Sequence, residues 1–399
     1  MKRNIIIIMI LFFVLNVINN LGHPVTPSFV RSLNIPEYMF GIFFSTMSLG
    51  MMIAAPLWGS LSDSGKSKYY IFTGIIIYGI AQLGFGLVHN QYLMVVFRLI
   101  GGIGIAAPMT LFVSLIIGYS DNFRIRNLSI LAALSTLGAS LGYQIGGLLG
   151  DSQTFKKLIN TVSYENIFIL QAVCLFFFGG MVLLFTKDYE RKIVITRSKN
   201  PFASLSKIKT LDSRFILFLI SLTLITMGST NLSKYIDVYF NDLGLSTTSL
   251  GNYVLITGIV AVVTSILIVP IVSKFDKQLV LIIVMQILSS LIVFYVFRAN
   301  NFILTIYTVY NVYIMFKAIY LPLEQNYISS RADKDSIGTI TGIRQSFVSV
   351  GNVIGPLLGG VLYSIRPLLL FDISGILFLI GAFLLLIVLF LEKKKLQKV

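Results

Sequence analysis

Long apolar runs separated by short polar breaks recur along the whole chain, and the length of each run decides what it can build. About twelve runs stand out, at approximately 5–30, 38–61, 69–88, 92–117, 127–150, 166–186, 215–240, 248–273, 278–297, 302–327, 337–363 and 368–391. Each suits the ~20 residues that a helix needs to cross ~30 Å of hydrocarbon. The runs are continuously apolar and too long for the ~10-residue alternating strands of a membrane barrel. The pattern therefore predicts an all-α polytopic membrane protein with twelve transmembrane helices, here spans 1 to 12. Between spans 6 and 7 the polar, basic stretch 187–213, which contains Pro201, is too long for an ordinary helix connection. It divides the chain into a first bundle (1–186), a cytoplasmic linker (187–213) and a second bundle (214–399).

The two halves are related. Span 11 reads Gly-Asn-Val-Ile-Gly-Pro-Leu-Leu-Gly-Gly, with Gly351, Gly355, Pro356, Gly359 and Gly360; span 5 reads Gly-Ala-Ser-Leu-Gly-Tyr-Gln-Ile-Gly-Gly, with Gly138, Gly142, Gly146 and Gly147, 213 residues earlier. Glycines four apart make a flat strip on one helix face, where a neighbouring backbone gains van der Waals contact that lipid does not otherwise drive. Leu33-Asn34-Ile35 with Gly41 likewise matches Leu243-Gly244-Leu245 with Gly251, at an offset of 210. Two six-helix bundles around a central cavity are the expected architecture.

Composition agrees with a lipid solvent: 56% of the 399 residues are apolar and 12% charged, with a mean hydropathy of +0.87. Lys2-Arg3 and the apolar residues after them resemble a signal peptide, but no small-x-small cleavage site follows and the apolar pattern runs on to Val30. The one cysteine, Cys174, excludes an intramolecular disulfide. A net charge of +15 would suit a nucleic-acid ligand, but 22 of the 31 Lys and Arg fall in segments that are cytoplasmic if the amino terminus is. That asymmetry is a topology signal; it predicts a cell-membrane protein with both termini in the cytoplasm, and no nucleic-acid partner.

Three stretches carry a resemblance. Gly59-Ser-Leu-Ser-Asp63-Ser-Gly65-Lys66-Ser-Lys68 follows span 2, Arg98-Leu-Ile-Gly-Gly-Ile-Gly104 lies in span 4, and the glycine strip lies in span 5. Together they resemble the major facilitator superfamily and, within it, the bacterial twelve-helix drug:proton antiporters. Two departures stand out. Ser64 occupies the place of an arginine, one residue closer to the following glycine, and the Gly-Pro of the antiporter strip is found in span 11, with Tyr143 in span 5. The resemblance implies a cytoplasmic gate in which Asp63, framed by Gly59, Gly65 and Lys66, meets the start of span 11, with Arg124 or Arg126 as added cationic partners. A helix amino terminus attracts a carboxylate through its unpaired N–H groups. A tight solvated turn would carry the same residues.

Ionisable groups inside the spans are costly and point to function. They are Arg98 in span 4, Lys234 and Asp237 in span 7, Lys317 and Glu324 in span 10, Arg344 in span 11 and Asp372 in span 12. Lys317 and Glu324, seven residues apart, share a helix face with Tyr313 and Tyr320; the set would line a cavity or serve as a structural ion pair with aromatic packing. A proton-driven exchanger needs a buried group at which proton and substrate compete, and Glu324 and Asp237 are the candidates. His23, beside Pro24 and Pro27 at a broken helix end, and Asn19 and Gln144 add polar contacts to the cavity, or bond locally between helices. Four embedded cations against three carboxylates extend the substrate range to neutral, zwitterionic or anionic amphiphiles, with Lys317 or Arg344 meeting an acidic group.

No enzyme is expected. Two histidines 66 residues apart and one cysteine make no metal cluster, and no nucleophile-elbow, phosphate-loop or dinucleotide motif falls in its proper context. Without a phosphate-binding loop the energy source is an ion gradient, with no cofactor and no metal. The expectation is a monomeric secondary transporter that exports small amphiphilic compounds, drugs among them, against protons by alternating access. The alternatives are a dedicated metabolite symporter, a lipid exporter, or a non-transporting receptor on the same fold.

Overall fold

The computed structural model describes residues 2–62, 66–120, 124–151, 163–188, 212–275, 277–329 and 337–396, and the regular structure among them is helical. In chain order the helices are α1 (Lys2–Asn19), α2 (Thr26–Ser32), α3 (Tyr38–Ser62), α4 (Ser67–Leu87), α5 (Gln91–Tyr119), α6 (Arg124–Asp151), α7 (Glu165–Phe185), α8 (Ser213–Asp242), α9 (Thr247–Val263), α10 (Val269–Val272), α11 (Gln278–Val296), α12 (Phe302–Tyr307), α13 (Val309–Ser329), α14 (Ile337–Ile365) and α15 (Pro367–Leu396). Among the described residues, eleven helices are long and apolar enough to cross a membrane.

The first expected span, 5–30, is not continuous. It breaks after Asn19 into turns and restarts as α2 at Thr26. Pro24 and Pro27 lack the N–H that a helix interior requires, whereas Pro27 is tolerated in the first turn of α2. Span 8 is interrupted by a π-helical turn at Thr264–Ile268, just before Pro270, which cannot donate to the turn behind it.

The ends of α2 and α8 are built alike. Asn34 (φ 54°) and Gly244 (φ 68°) both adopt the left-handed conformation. In each case the next N–H reaches back five residues, from Ile35 to the Val30 carbonyl (3.4 Å) and from Leu245 to the Phe240 carbonyl (3.0 Å), as in a Schellman helix end.

The helices gather into two compact units: Met1–Pro201 with Asp237–Gly258, and Phe202–Ile236 with Ile259–Val399. In the first, α5 packs against α3 and α4, α4 against α7, and α1 against α6. The α1–α6 contact is made by backbone. A Cβ added at Gly138 would lie 2.6 Å from the Phe13 carbonyl oxygen, and Gly142 and Gly146 face the Val17 and Leu21 carbonyls more closely still. Gly147 faces the Thr247 carbonyl, and its own carbonyl accepts from Thr247 Oγ1 at 2.8 Å.

In the second unit α14 makes the same kind of contact with α8. Cβ atoms added at Gly351, Gly355 and Gly359 would lie 2.9 Å from the Thr223 carbonyl oxygen, 3.0 Å from the Met227 backbone and 2.8 Å from Asn231 Oδ1. Gly360 is buried, and the Pro356 carbonyl accepts from Tyr235 Oη at 3.0 Å. On both pairs the contacts recur every four residues, the spacing that brings one helix face back into register.

Candidate functional site

Three polar groups interrupt the apolar packing. The first lies in the first unit, where α6 meets the α1–α2 break and residues 237–252. Tyr143 Oη donates to Asp237 Oδ2 at 2.9 Å, and the His23 imidazole stacks on the Tyr143 ring with centroids 5.4 Å apart and planes 7° from parallel. Asp237 and Tyr143 are buried and His23 is half-buried. From the next residue of α6, Gln144 Nε2 donates to Asn252 Oδ1 at 2.7 Å. Beside this group Arg31 forms ion pairs with Asp242 and with Glu37, the latter at 3.1 Å, and donates to Asn241 Oδ1. Asn241 Nδ2 donates in turn to Ser28 Oγ at 2.9 Å. The Arg31 cluster was not foreseen, because its members are some 210 residues apart in the chain and each alone reads as a solvated loop residue.

The second group surrounds Arg98, which is 5% exposed. Its guanidinium carbon lies 3.6 Å from the centre of the Phe85 ring, Nη1 contacts Met47 Sδ at 4.0 Å, and Nε is buried without a hydrogen-bond partner. Aromatic and thioether contacts thus take the place of a counter-ion, as a ring face attracts a cation. Nearby, Gln82 Nε2 donates to Gln171 Oε1, whose own Nε2 donates to the Ile18 and Asn19 carbonyls, all at 2.8 Å. The half-buried Asn19 belongs to this interhelical network through its backbone.

The third group is in the second unit. Arg344 grips Glu324 with both arms, Nε to Oε1 at 2.7 Å and Nη2 to Oε2 at 2.6 Å; Glu324 is fully buried and Arg344 8% exposed. This is the planar two-point geometry that guanidinium and carboxylate share. The shared face of Lys317 and Glu324 therefore carries no ion pair between the two: α14 supplies the partner of Glu324. Lys317 is exposed and lies within electrostatic reach of the half-buried Lys234 on α8. Tyr320 is half-buried beside the Glu324–Arg344 pair. Tyr313 is 4% exposed and packs against Tyr310 and Phe378, with ring centres 5.0 and 5.8 Å away, so its ring backs the face and does not line an opening. Asp372 pairs with Arg298 at 2.6 Å.

Of the expected gate, Asp63 and Gly65 lie outside the described residues, as does the side chain of Arg124. Gly59 is half-buried near Thr110, and Lys66 and Arg126 are exposed. A carboxylate does meet a helix amino terminus close by, where Asp188 Oδ1 accepts from the Lys68 backbone N–H at 2.7 Å in the first turn of α4. Among the described residues no group of three or more His, Cys, Asp or Glu side chains forms a metal site.

Membrane-length helices joined by glycine strips, with charged side chains held inside the spans, are the features of a membrane carrier. The chain belongs to the Major Facilitator Superfamily, whose family model matches residues 6–343 and 294–399. It is a multi-pass membrane transporter of small molecules and not an enzyme. Among its relatives, Multidrug resistance protein 1 of Bacillus subtilis is 24% identical over 349 residues, which cover 86% of this chain and 85% of the relative. Quinolone resistance protein NorA of Staphylococcus aureus is 24% identical over 352 residues, with the same coverage. Solved structures of similar fold include a bacterial homolog of the human lysosomal transporter Spinster (13% identity, TM-score 0.73, covering 97% of this chain and 95% of that one). The nucleoside transporter NupG is comparable (13%, TM-score 0.74, 97% and 98%).

Proposed function

We propose that this transporter exports small amphiphilic compounds, drugs among them, in exchange for protons, with two six-helix halves (1–186 and 214–399) joined by the linker 187–213 and both termini in the cytoplasm. The relatives named for multidrug and quinolone resistance support the substrate class. The observation that carries proton coupling is the Tyr143–Asp237 hydrogen bond. Asp237 is a carboxyl buried inside a span, and its Oδ2 accepts from the neutral Tyr143 hydroxyl, a bond that protonation of the other carboxyl oxygen leaves in place. Glu324 is a second coupling group of a different kind, since its protonation forfeits two charge-assisted bonds to Arg344 and would have to accompany separation of α13 from α14. In the proposed division, the bonds from residues 237–252 to α2 and α6 link one half to the other. They sit at the end of α8 remote from the linker, because a 30-residue helix is about 45 Å long. They form the external gate, and a ligand or proton shifts the open and closed populations only by binding them unequally.

The test is flux in proteoliposomes under an imposed pH gradient. Wild-type protein should accumulate a fluorescent drug only with the gradient present. Asp237→Asn should lose more than about tenfold of gradient-driven transport while retaining drug binding, a loss of about 1.4 kcal/mol or more of coupling. Wild-type flux indifferent to the gradient would reject antiport.

A further inference from the structure

Lys317 stands near the middle of the Phe302–Ile328 span, and its surroundings are unusual for a lysine inside a membrane. Its side chain is exposed. Of the residues that share its helix face, Tyr310, Tyr313 and Glu324 are buried and Tyr320 is half-buried, while Leu321, one turn on, is exposed. Among the described residues of this unit, each carboxylate is engaged elsewhere: Asp212 with Arg214, Glu324 with Arg344, Asp372 with Arg298 and Glu392 with Tyr327 at 2.7 Å. None pairs with Lys317, and the charge that does face it is another cation, Lys234 of α8. A cation at this depth is costly without an anion or water beside it, and a second cation raises that cost. Tyr320, three residues along the same face, offers a half-buried aromatic edge to an apolar body.

We infer that Lys317, with Lys234 facing it, receives the anionic head of an amphiphilic ligand, a carboxylate or phosphate whose apolar body lies along Tyr320. The inference deepens the transport reading and rests on it for the view that the ligand is cargo. A point-charge ammonium accepts several anion geometries, unlike the fork of an arginine, which suits a site that admits more than one compound. Glu324, held by Arg344, keeps the neighbouring turn from competing for the lysine.

The experiment uses full-length protein in phosphatidylcholine nanodiscs and a fluorescent dansyl fatty acid alongside its methyl ester. Wild-type protein should bind the acid at least about tenfold more tightly than the ester, tenfold corresponding to 1.4 kcal/mol. Lys317→Gln should bring the ratio close to one with ester binding unchanged, which also shows that the variant is folded. Lys234→Gln should reduce the ratio in part, and Lys317→Arg should keep it. Added phosphatidylglycerol that displaces the acid identifies a lipid headgroup as occupant; acid binding that withstands it identifies a soluble anion, and both outcomes uphold the site. Equal binding of acid and ester by wild-type protein, or an undiminished ratio in Lys317→Gln, overturns it. Loss of gradient-driven flux with the acid preference intact would instead refute the antiport reading and leave the anion site standing.

Discussion

The charged residues inside the spans are not interchangeable, because each has met the low-dielectric interior in a different way. Arg98 rests on the Phe85 ring, Arg344 is neutralised by Glu324, and Lys317 is left exposed. A buried pair is most sensitive to losing one member, since the survivor becomes an uncompensated charge. Arg344→Ala should therefore destabilise the protein by about 3–5 kcal/mol, whereas Glu324→Gln combined with Arg344→Met should cost much less. Thermal unfolding of the purified single and double variants in detergent checks this. A double variant no more stable than the single one would mean that the pair does not act as a unit. The sequence identified Glu324 and Arg344 as embedded charges but not as partners, because a separation of 20 residues across a helix connection has no signature in the spacing.

At the scale of elements, glycine strips decide which helices touch. Gly142 of α6 faces the Val17 carbonyl of α1 so closely that any side chain would force the helices apart. Gly142→Leu should lower the yield of folded protein and its unfolding temperature, overpacking of this kind costing about 1–3 kcal/mol or more. Gly180 in α7 has nothing within 4 Å of an added Cβ. Gly180→Ala should be neutral, or stabilising by up to ~1 kcal/mol through helix propensity. Size-exclusion profiles and thermal unfolding of the two variants distinguish a packing strip from a tolerance for glycine in general. The strips themselves were legible in the sequence, since a four-residue period puts them on one face. Their partners, the carbonyls of residues 13, 17 and 21, were not, because backbone atoms are common to every residue and leave no compositional trace.

For the whole molecule, the cluster around Arg31, with Asp242, Glu37 and Asn241, is under the proposed alternating access a closure that has to break. In a Cys174→Ser background, Arg31→Cys with Asp242→Cys should form a disulfide on oxidation and stop transport, and reduction should restore it. Transport that continues through the crosslinked protein would show that the contact is not a gate. In the same background an impermeant maleimide on intact cells should label Glu37→Cys and spare Lys394→Cys. The reverse pattern would invert the proposed topology.

Run length and polarity set the helical, membrane-spanning character of this chain, since hydrocarbon leaves a backbone little choice but to bond within its own helix. The repeated glycines and the matched stretches around Asn34 and Gly244 were equally open to reading as a repeat, whereas the left-handed turns they form were seen only in the structure. What the tertiary structure alone decided is the pairing: Tyr143 with Asp237, Arg344 with Glu324, Arg31 with Asp242, and Lys317 with no carboxylate among the described residues. Charge partners are selected by which helix faces meet across the fold, and that geometry depends on the packing of the folded chain and not on the distance between residues along it.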